Sequence, residues 1–450
     1  MPGRAAADGG LPPKMMTKGS VKFRAPLAAL LASMLLAALP LAAEPIDFHQ
    51  ALELALKHSG VMLAASADRE RAAQHYKAER YAYIPAVIFG SNLGYTIGPP
   101  VAIAGSAPSL FSITHQQTLF NLAARDTIKA DRSDMIAAGI DYQDHSDQVI
   151  LDISLIYIEL DSTRQRLTAA QQQKQATDHA LYIAQQRLQA GVGSVLDSKR
   201  AELDAARVDL RITQLETSAD ILREQLARAI GESAATLETV SDSIPAAPPL
   251  PSADDLSSVA LANSAAVRVA DEHVRAARDR ARAEHHKKYP SIDVAGQYVQ
   301  YASFNNYSTY YLHFPSYSYS FGMNFRVPIF DLAQNAVAAA ADAEALQAEA
   351  NAQTARDKVA EDAVRAQHTL RQLQAQALVS KLEFEVAQAN IDDVKLHIEQ
   401  GHANARDEEL ARADVANRQV LLLESQFEFM RAQLQLLRQT GELHGWALGK

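Results

Sequence analysis

Apolar residues recur along much of the 450-residue chain at alternating spacings of three and four, the heptad pattern of helices that pack against one another. The clearest seam lies within 331–400 and comprises Leu370, Leu373, Ala377, Ser380, Phe384, Ala387, Ile391, Val394 and Ile398. A more degenerate version lies within 121–190, and neither stretch contains a proline. We therefore predict two helices of about 70 residues, each about 100 Å long, followed by return helices over 194–231 and 404–440.

Four other segments alternate between apolar and polar residues, which is the period of a β-strand with two unlike faces. They span about 86–98, 110–120, 291–302 and 317–329. In the last of them, one face carries Tyr317, Tyr319, Phe321, Met323, Phe325 and Val327, and the other carries Ser318, Ser320, Gly322, Asn324 and Arg326. Each segment is about as long as a membrane-spanning strand, roughly 9–11 residues. We predict two β-hairpins, each with one apolar and one polar face.

These patterns occur twice in the same order, which indicates an internal duplication. Three matched pairs lie 210 residues apart: Gly191 with Gly401, Asp197 with Asp407, and Gly231 with Gly441. Pro85 and Pro290 match at an offset of 205, and since a proline ends a helix we predict a helix of about 40 residues before each, over 46–84 and 252–289. The first structural repeat spans 44–240 and the second spans 252–445, with a proline-rich linker over 241–251.

Aromatic residues crowd the second hairpin, with eight tyrosines and four phenylalanines between positions 289 and 325. The aromatic belts of transmembrane barrels have this composition. The alternative is a soluble protein, either a small sandwich or a periplasmic coiled-coil scaffold whose strands form a small sheet. The sequence predicts no second sheet on which the apolar faces could pack, so we favour strands that face lipid.

Four strands per chain are too few to close a membrane barrel. Open strand edges cannot be satisfied in lipid, and closed barrels need at least about eight strands. Two or three chains must therefore share one barrel, with the polar faces lining its lumen. The long helices would project into the periplasm as a tube continuous with that barrel, which makes the predicted fold a mixed α and β membrane protein.

The N-terminus and the composition narrow the function further. Residues 1–43 have the basic start and the apolar run of a secretory signal, and a true start at Met15 or Met16 would give it a normal length. The absence of cysteine excludes disulfides, thiolate metal sites and cysteine nucleophiles. A formal net charge of −10 argues against nucleic acid as a partner. Because no catalytic or phosphate-binding motif is present, we expect no enzymatic activity, no cofactor and no metal.

The doubled plan and several short motifs make the mature chain resemble the TolC-like outer-membrane efflux proteins. The motifs at the strands are AYIPAV, KKYPSI and FRVPIFD, and those at the helical tips are QRLQAGVGSVLDSKRAELDAA and HIEQGHANARDEELARADVAN. The resemblance implies a homotrimer in the cell outer membrane, with a 12-stranded barrel and a 12-helix periplasmic tunnel. It also implies a passive export duct for efflux or type I secretion, docked to a periplasmic adaptor protein and an inner-membrane pump, with no catalytic site.

The same resemblance assigns roles to the two helical tips. The adaptor would dock at five positions: Gly191, Val192, Gly193, Gly401 and His402. The periplasmic gate would use Asp197 and Asp407, with Glu408 beside them and Arg406 as the nearest cation. The second tip departs from the family pattern, which has small hydroxyl and aliphatic residues before the acid, because here Asp407 follows the sequence HANAR. The alternative is that Asp197 and Asp407 are ordinary acids in the first turn of a helix, where they favour the helix dipole.

Overall fold

The computed structural model describes residues 44–93, 109–234, 237–246, 256–301, 315–403 and 405–449. The predicted signal, residues 94–108 of the first hairpin, residues 302–314 of the second hairpin with five of its twelve predicted aromatics, most of the linker and position 404 lie outside these ranges. From Pro45 onward the chain forms one compact unit. Within the described ranges, none of the helices has both the length and the apolar composition needed to cross a membrane.

The strands and helices follow one another in two similar series. The strands are β1 (Glu44–Ile46), β2 (Ala86–Asn92), β3 (Ser109–Phe120), β4 (Leu237–Thr239), β5 (Ser291–Tyr301) and β6 (Tyr317–Arg326). The helices of the first series are α1 (Phe48–His58), α2 (Gly60–Tyr81), α3 (Leu122–Gln189) and α4 (Val195–Ile230). Those of the second are α5 (Leu256–Asn263), α6 (Ala265–His286), α7 (Leu332–Glu399), α8 (Ala405–Thr440) and α9 (Leu443–Leu448). The lengths repeat: α3 and α7 both have 68 residues, and α4 and α8 both have 36.

Four strands form an antiparallel sheet in the order β2-β3-β5-β6, which leaves β2 and β6 at its edges. The two hairpins share one register. Val87 faces His115 in the first, and the matching Ile292 faces Phe325 in the second. The first hairpin differs by an irregularity after Gly90. Apart from that, the sheet repeats the duplication seen in the sequence, residue by residue.

One face of this sheet carries an aromatic row that crosses all four strands. Phe89 stacks on Phe111 with ring centroids 6.0 Å apart, Phe111 lies 5.8 Å from Tyr298, and Tyr298 stacks on Tyr317 at 6.4 Å. The opposite face is polar, and there the Thr118 hydroxyl donates to the Asp293 carboxylate at 2.9 Å. The alternation predicted for each strand therefore adds up to one apolar and one polar face for the whole sheet.

The helices continue the order of the strands. Beside the sheet, α2, α3, α6 and α7 pack side by side in the order of the strands to which they connect. Farther away, α4 packs on α3, α8 packs on both α3 and α7, and each long helix forms a hairpin with its return helix. Along α7 the predicted heptad positions are the buried or half-buried ones, from Leu370 through Ser380 to Ile398.

The two predicted 40-residue helices are wrong, because each is broken by a serine. Ser59 separates α1 from α2, and Ser264 separates α5 from α6. Both serines have extended ψ angles near 120°, and each hydroxyl accepts a hydrogen bond from the backbone N–H three residues later. Serine is a strong helix N-cap, so it ends one helix and begins the next.

The break at Ser59 allows α1 to fold against α4 and the middle of α3, where the main apolar core lies. Phe48 and Leu52 of α1 pack there with Tyr157 of α3. The Tyr157 hydroxyl donates to the Ile46 carbonyl at 2.7 Å and accepts from the Val240 N–H at 2.8 Å. This core also includes β1 paired with β4 and helix α9, none of which the sequence patterns predicted.

Candidate functional site

Both helical hairpins reverse direction through the same glycine motif. Gly191 and Gly401 have left-handed φ angles of 74° and 77°. At each tip, the N–H of the glycine and that of the next residue, Val192 or His402, donate to carbonyls of the last helical turn. This double hydrogen bond is the Schellman arrangement, which satisfies the free carbonyls of a helix end and favours glycine at the left-handed position.

A different constraint favours glycine at position 193, the third glycine predicted at the tips. A Cβ atom on Gly193 would lie 2.7 Å from the Leu188 backbone nitrogen, so only glycine fits without movement of the backbone. The matched position of the second tip holds Ala403. The second tip therefore carries a Cβ at the position where the first tip has no room for one.

The first tip also exposes apolar side chains, two of which, Val195 and Leu196, the sequence analysis did not select. Val195 and Leu196, in the first turn of α4, are 65% and 57% exposed, and Val192 is 71% exposed. The signal that could have identified them is the sequence GVGSVLDS, where apolar residues flank a turn on both sides. Together, Val192, Val195 and Leu196 form an apolar patch at the end of the first hairpin, which we call the tip patch.

The predicted gate acids lie where the return helices begin. Asp197 and Asp407 are both in the first turn, of α4 and α8, and both are half-buried. Glu408 is ion-paired with Arg412 on the next turn, with Nη2 and Oε1 2.6 Å apart. The Arg406 side chain lies outside the described part of the structure. One chain thus presents acids at both tips.

Side chains also tie the two hairpins together above the tips. His179 of α3 lies 3.5 Å from the Glu409 carboxylate of α8. Higher up, the Arg211 guanidinium of α4 donates to the Asn417 amide oxygen of α8 at 2.9 Å. These contacts are exposed, and exposed polar pairs contribute only about 0–1 kcal/mol each. The side-chain contacts that join the two hairpins here are therefore weak.

A stronger ionic contact joins the repeats near the sheet. Asp126 of α3 has a 5% exposed side chain and lies 2.5 Å from His286 of α6 and 2.5 Å from Lys129. Burial favours the neutral acid, but the hydrogen bonds from Lys129 and His286 outweigh it and lower the pKa of Asp126. Asp134 pairs with His273 and Arg280 in the same interface. We call this interface, formed by α3 with α6 and β3 with β5, the repeat seam.

No curated protein sequence matches the chain with significance. Solved structures do match its fold. VceC of Vibrio cholerae, an outer membrane protein, is 16% identical, with 88% of this chain and 96% of that chain covered and a TM-score of 0.71. The outer-membrane channel OprN is 18% identical, with 89% and 90% covered and a TM-score of 0.69. CusC, whose structures describe transmembrane channel formation, is 14% identical, with 88% and 92% covered and a TM-score of 0.72.

The sequence itself matches a family model over both repeats. The model describes the outer membrane efflux proteins, and it matches residues 51–232 and 256–442. These two ranges are the two series of helices and strands described above, and they make up most of the chain. The family consists of channel proteins rather than enzymes, and its members lie in the outer membrane with their helices in the periplasm. The chain belongs to the outer membrane efflux protein family.

Proposed function

We propose that three copies of this chain form one export duct, with a 12-stranded barrel in the outer membrane and a 12-helix tunnel in the periplasm. The observation that carries this proposal is the four-stranded sheet with two open edges, β2 and β6, and one apolar face across all strands. Open edges are not tolerated in lipid. Closure of the sheet by further copies satisfies them and keeps the apolar face toward the bilayer.

In this arrangement the helical tips face the periplasm and dock an adaptor protein that recruits an inner-membrane pump. The tip patch of Val192, Val195 and Leu196 offers an exposed apolar contact, and the two Schellman turns hold the tips in a defined shape. The second tip, with His402 beside Gly401, is the more polar contact. The duct itself is passive, because its transport is driven by the pump.

The gate follows from the position of the acids. Three copies of Asp197 and Asp407 at a narrow periplasmic mouth would attract cations and make the pore cation-selective. Arg406 is the local cation that pairs with this acidic ring in the closed state. Glu408 lies beside Asp407 and forms an ion pair with Arg412.

Two measurements test this proposal. Native mass spectrometry in mild detergent should show a trimer, and a spectrum of monomers alone contradicts the duct. In planar bilayers, Asp197→Ala combined with Asp407→Ala should raise single-channel conductance and weaken cation selectivity. Arg406→Ala should raise conductance and preserve selectivity. If both variants conduct like the parent channel, the acids are ordinary helix-start residues and the gate lies elsewhere.

A further inference from the structure

The sheet meets its helices at two junctions, and the two carry different charges. The first junction, around Tyr83 and Asn121, is where β2 and β3 join α2 and α3. The second junction, around Lys288 and Asp331, is where β5 and β6 join α6 and α7. The offsets of 205 and 210 between the repeats match Tyr83 with Lys288 and Asn121 with Asp331. At both matched positions the second junction has a charged side chain where the first has a neutral one.

A tyrosine closes the first junction. The Tyr83 hydroxyl donates to the Asn121 carbonyl at 2.8 Å, and the Gln117 side-chain amide donates to the Tyr83 carbonyl at 3.1 Å. The Asn121 side chain caps α3 by accepting from the Ala124 N–H at 3.1 Å. The end of α2 is thus joined to β3 and to the start of α3 by neutral hydrogen bonds.

The second junction lacks these closing contacts and has a groove instead. Val327 stands in place of Gln117 and has no side-chain donor, and the Lys288 side chain makes no hydrogen bond within the described structure. The groove holds about 280 Å³. Its lining includes Lys287, Lys288, Pro328, Ile329, Phe330 and Asp331. Because small-molecule sites begin at about 300 Å³, the groove suits a headgroup rather than a large ligand.

Two opposite charges in this groove have no ionic partner among the described residues. Lys287 is neutralised by Glu284, with Nζ and Oε1 2.7 Å apart. No described carboxylate pairs with Lys288. Asp331 caps α7 by accepting from the Gln334 N–H at 2.8 Å, and no described cation pairs with its carboxylate. The groove therefore offers one positive and one negative group that do not contact each other.

Apolar surface borders the groove. Ile329 and Phe330 follow β6 directly and are 95% and 81% exposed. Their counterparts Leu119 and Phe120 remain 48% and 43% exposed, although Phe120 faces Ile292 of the neighbouring strand. Neighbours that pack at such a junction thus leave part of its apolar surface open. In the proposed duct the apolar face of the sheet ends at this level, so lipid acyl chains reach the groove.

We propose that the second junction binds a phospholipid of the periplasmic leaflet whose headgroup carries a phosphate and a primary ammonium, an inference that rests on the proposed duct. The phosphate accepts from the Lys288 ammonium, the headgroup ammonium donates to the Asp331 carboxylate, and the acyl chains lie along Ile329 and Phe330. Charge-assisted hydrogen bonds of this kind are the strong ones. A headgroup with a phosphate alone is repelled by Asp331, and a quaternary ammonium has no N–H to donate.

The first junction supplies variants that preserve the fold. Lys288→Tyr and Asp331→Asn each install the residue that the first junction already has at the matched position. Asparagine caps α3 there, so it should cap α7 as well. The controls are Lys381→Tyr and Asp392→Asn, which make the same changes elsewhere on α7.

Native mass spectrometry in mild detergent measures lipid and oligomer in one spectrum. We would add phosphatidylethanolamine, phosphatidylglycerol or phosphatidylcholine with the same acyl chains, and then inorganic phosphate as a competitor. The natural chain should bind the ethanolamine lipid about tenfold more tightly than the other two, as expected for one charge-assisted hydrogen bond. Lys288→Tyr should weaken binding of all three lipids. Asp331→Asn should weaken only the ethanolamine lipid, and both controls should bind like the natural chain.

Each contrary result overturns a defined part of the proposal. Equal binding of the three lipids overturns the headgroup, and junction variants that bind like the natural chain overturn the site. Displacement of the lipid by an equal concentration of inorganic phosphate shows a phosphate site without a lipid. Trimers that bind no added lipid overturn the site and leave the duct in place. Monomers contradict the duct, and they overturn the site as well unless they keep the ethanolamine preference that the junction variants lose.

Discussion

The two long helices have the same length and the same place in their repeats, yet they are buried very differently. Helix α3 buries large side chains such as Ile150, Tyr157 and Leu160 almost completely. Helix α7 buries mostly alanines, while Leu346 and Val386 are 68% and 69% exposed. Elements of both repeats cover α3, namely α1, α2 and α4 of its own repeat and α6 and α8 of the other, whereas the main described contacts of α7 are with α5, α6 and α8. The comparison teaches that burial along a long helix depends on the elements that cover it, and not on the quality of the helix itself.

The sharpest test of this comparison introduces one substitution at two equivalent positions. Ala130→Arg places a charged side chain in the repeat seam, where the alanine is fully buried. Overpacking costs about 1–3 kcal/mol and an unpaired buried charge adds to it. We expect loss of folded protein, measured as the amount of heat-stable protein recovered from membranes.

Ala340→Arg is the matched variant on α7. Its alanine is exposed in the single chain, so the fold of each chain should persist while the trimer is lost. Circular dichroism would report the helices and native mass spectrometry the oligomer. If Ala340→Arg trimerises like the natural chain, the exposed face of α7 does not pack against a second copy.

The next largest effect separates the two faces of the edge strand β6. Phe321→Arg puts a charge on the apolar face, where the phenylalanine is 64% exposed. An arginine that faces the middle of the bilayer costs about 2–4 kcal/mol, so outer-membrane assembly should fail. Ser320→Arg carries the same side chain to the polar face and should assemble. Equal amounts of the two variants in the outer membrane fraction would show that the faces are assigned incorrectly.

The contrast between the two helices also explains what the sequence could predict. The heptad spacing and the absence of proline are local features, so they predicted long helices, and strict alternation predicted the strands and their faces. The breaks at Ser59 and Ser264 were missed because a serine inside a helical pattern is common. The turns become necessary only through packing, of α1 in the core around Tyr157 and of α5 against Leu370 and Leu436. The pairing of Asp126 with His286 was missed because it joins residues 160 positions apart in the chain.

At the candidate site, glycine positions were predictable and contacts were not. Gly191 and Gly401 stood out because a duplicated glycine favours a left-handed turn, and the structure has that turn at both positions. Val192 of the tip patch was predicted, but Val195 and Leu196 were overlooked because isolated apolar residues beside a turn have no periodicity. The roles of Asp197, Asp407 and Arg406 depend on neighbouring copies, so neither one sequence nor one chain decides them.

A third prediction compares the two tips. Gly193→Ala forces a Cβ against the Leu188 backbone and should distort the first tip, whereas the second tip already carries Ala403 at the matched position. Export measured in cells should fall while the trimer persists. Gly139→Ala in α3 is the control, because a Cβ there meets nothing within 4 Å. If both variants export normally, the first tip does not dock the adaptor.

The smallest expected effect is a dependence of the repeat seam on pH. Contact with the Asp134 carboxylate raises the pKa of His273 above its ordinary 6.5, although burial opposes the change. Burial also acts against ionised Asp134, but His273 and Arg280 outweigh it and leave the pKa of Asp134 below 3.8. A raised histidine pKa means that this contribution to stability is complete below about pH 6.5 and is lost as the pH rises through the folded-state value.

We therefore expect the unfolding temperature in detergent to fall between pH 6 and pH 9, with part of the fall due to His273. The His273 side chain is 55% exposed. Its contribution to the free energy of unfolding is therefore small, within the range of about 0–1 kcal/mol that is typical of an exposed ion pair. His273→Gln should flatten the dependence, and His402→Gln at the second tip should leave it unchanged. If His273→Gln leaves the pH profile unchanged, Arg280 and His286, rather than His273, stabilise the aspartates of the repeat seam.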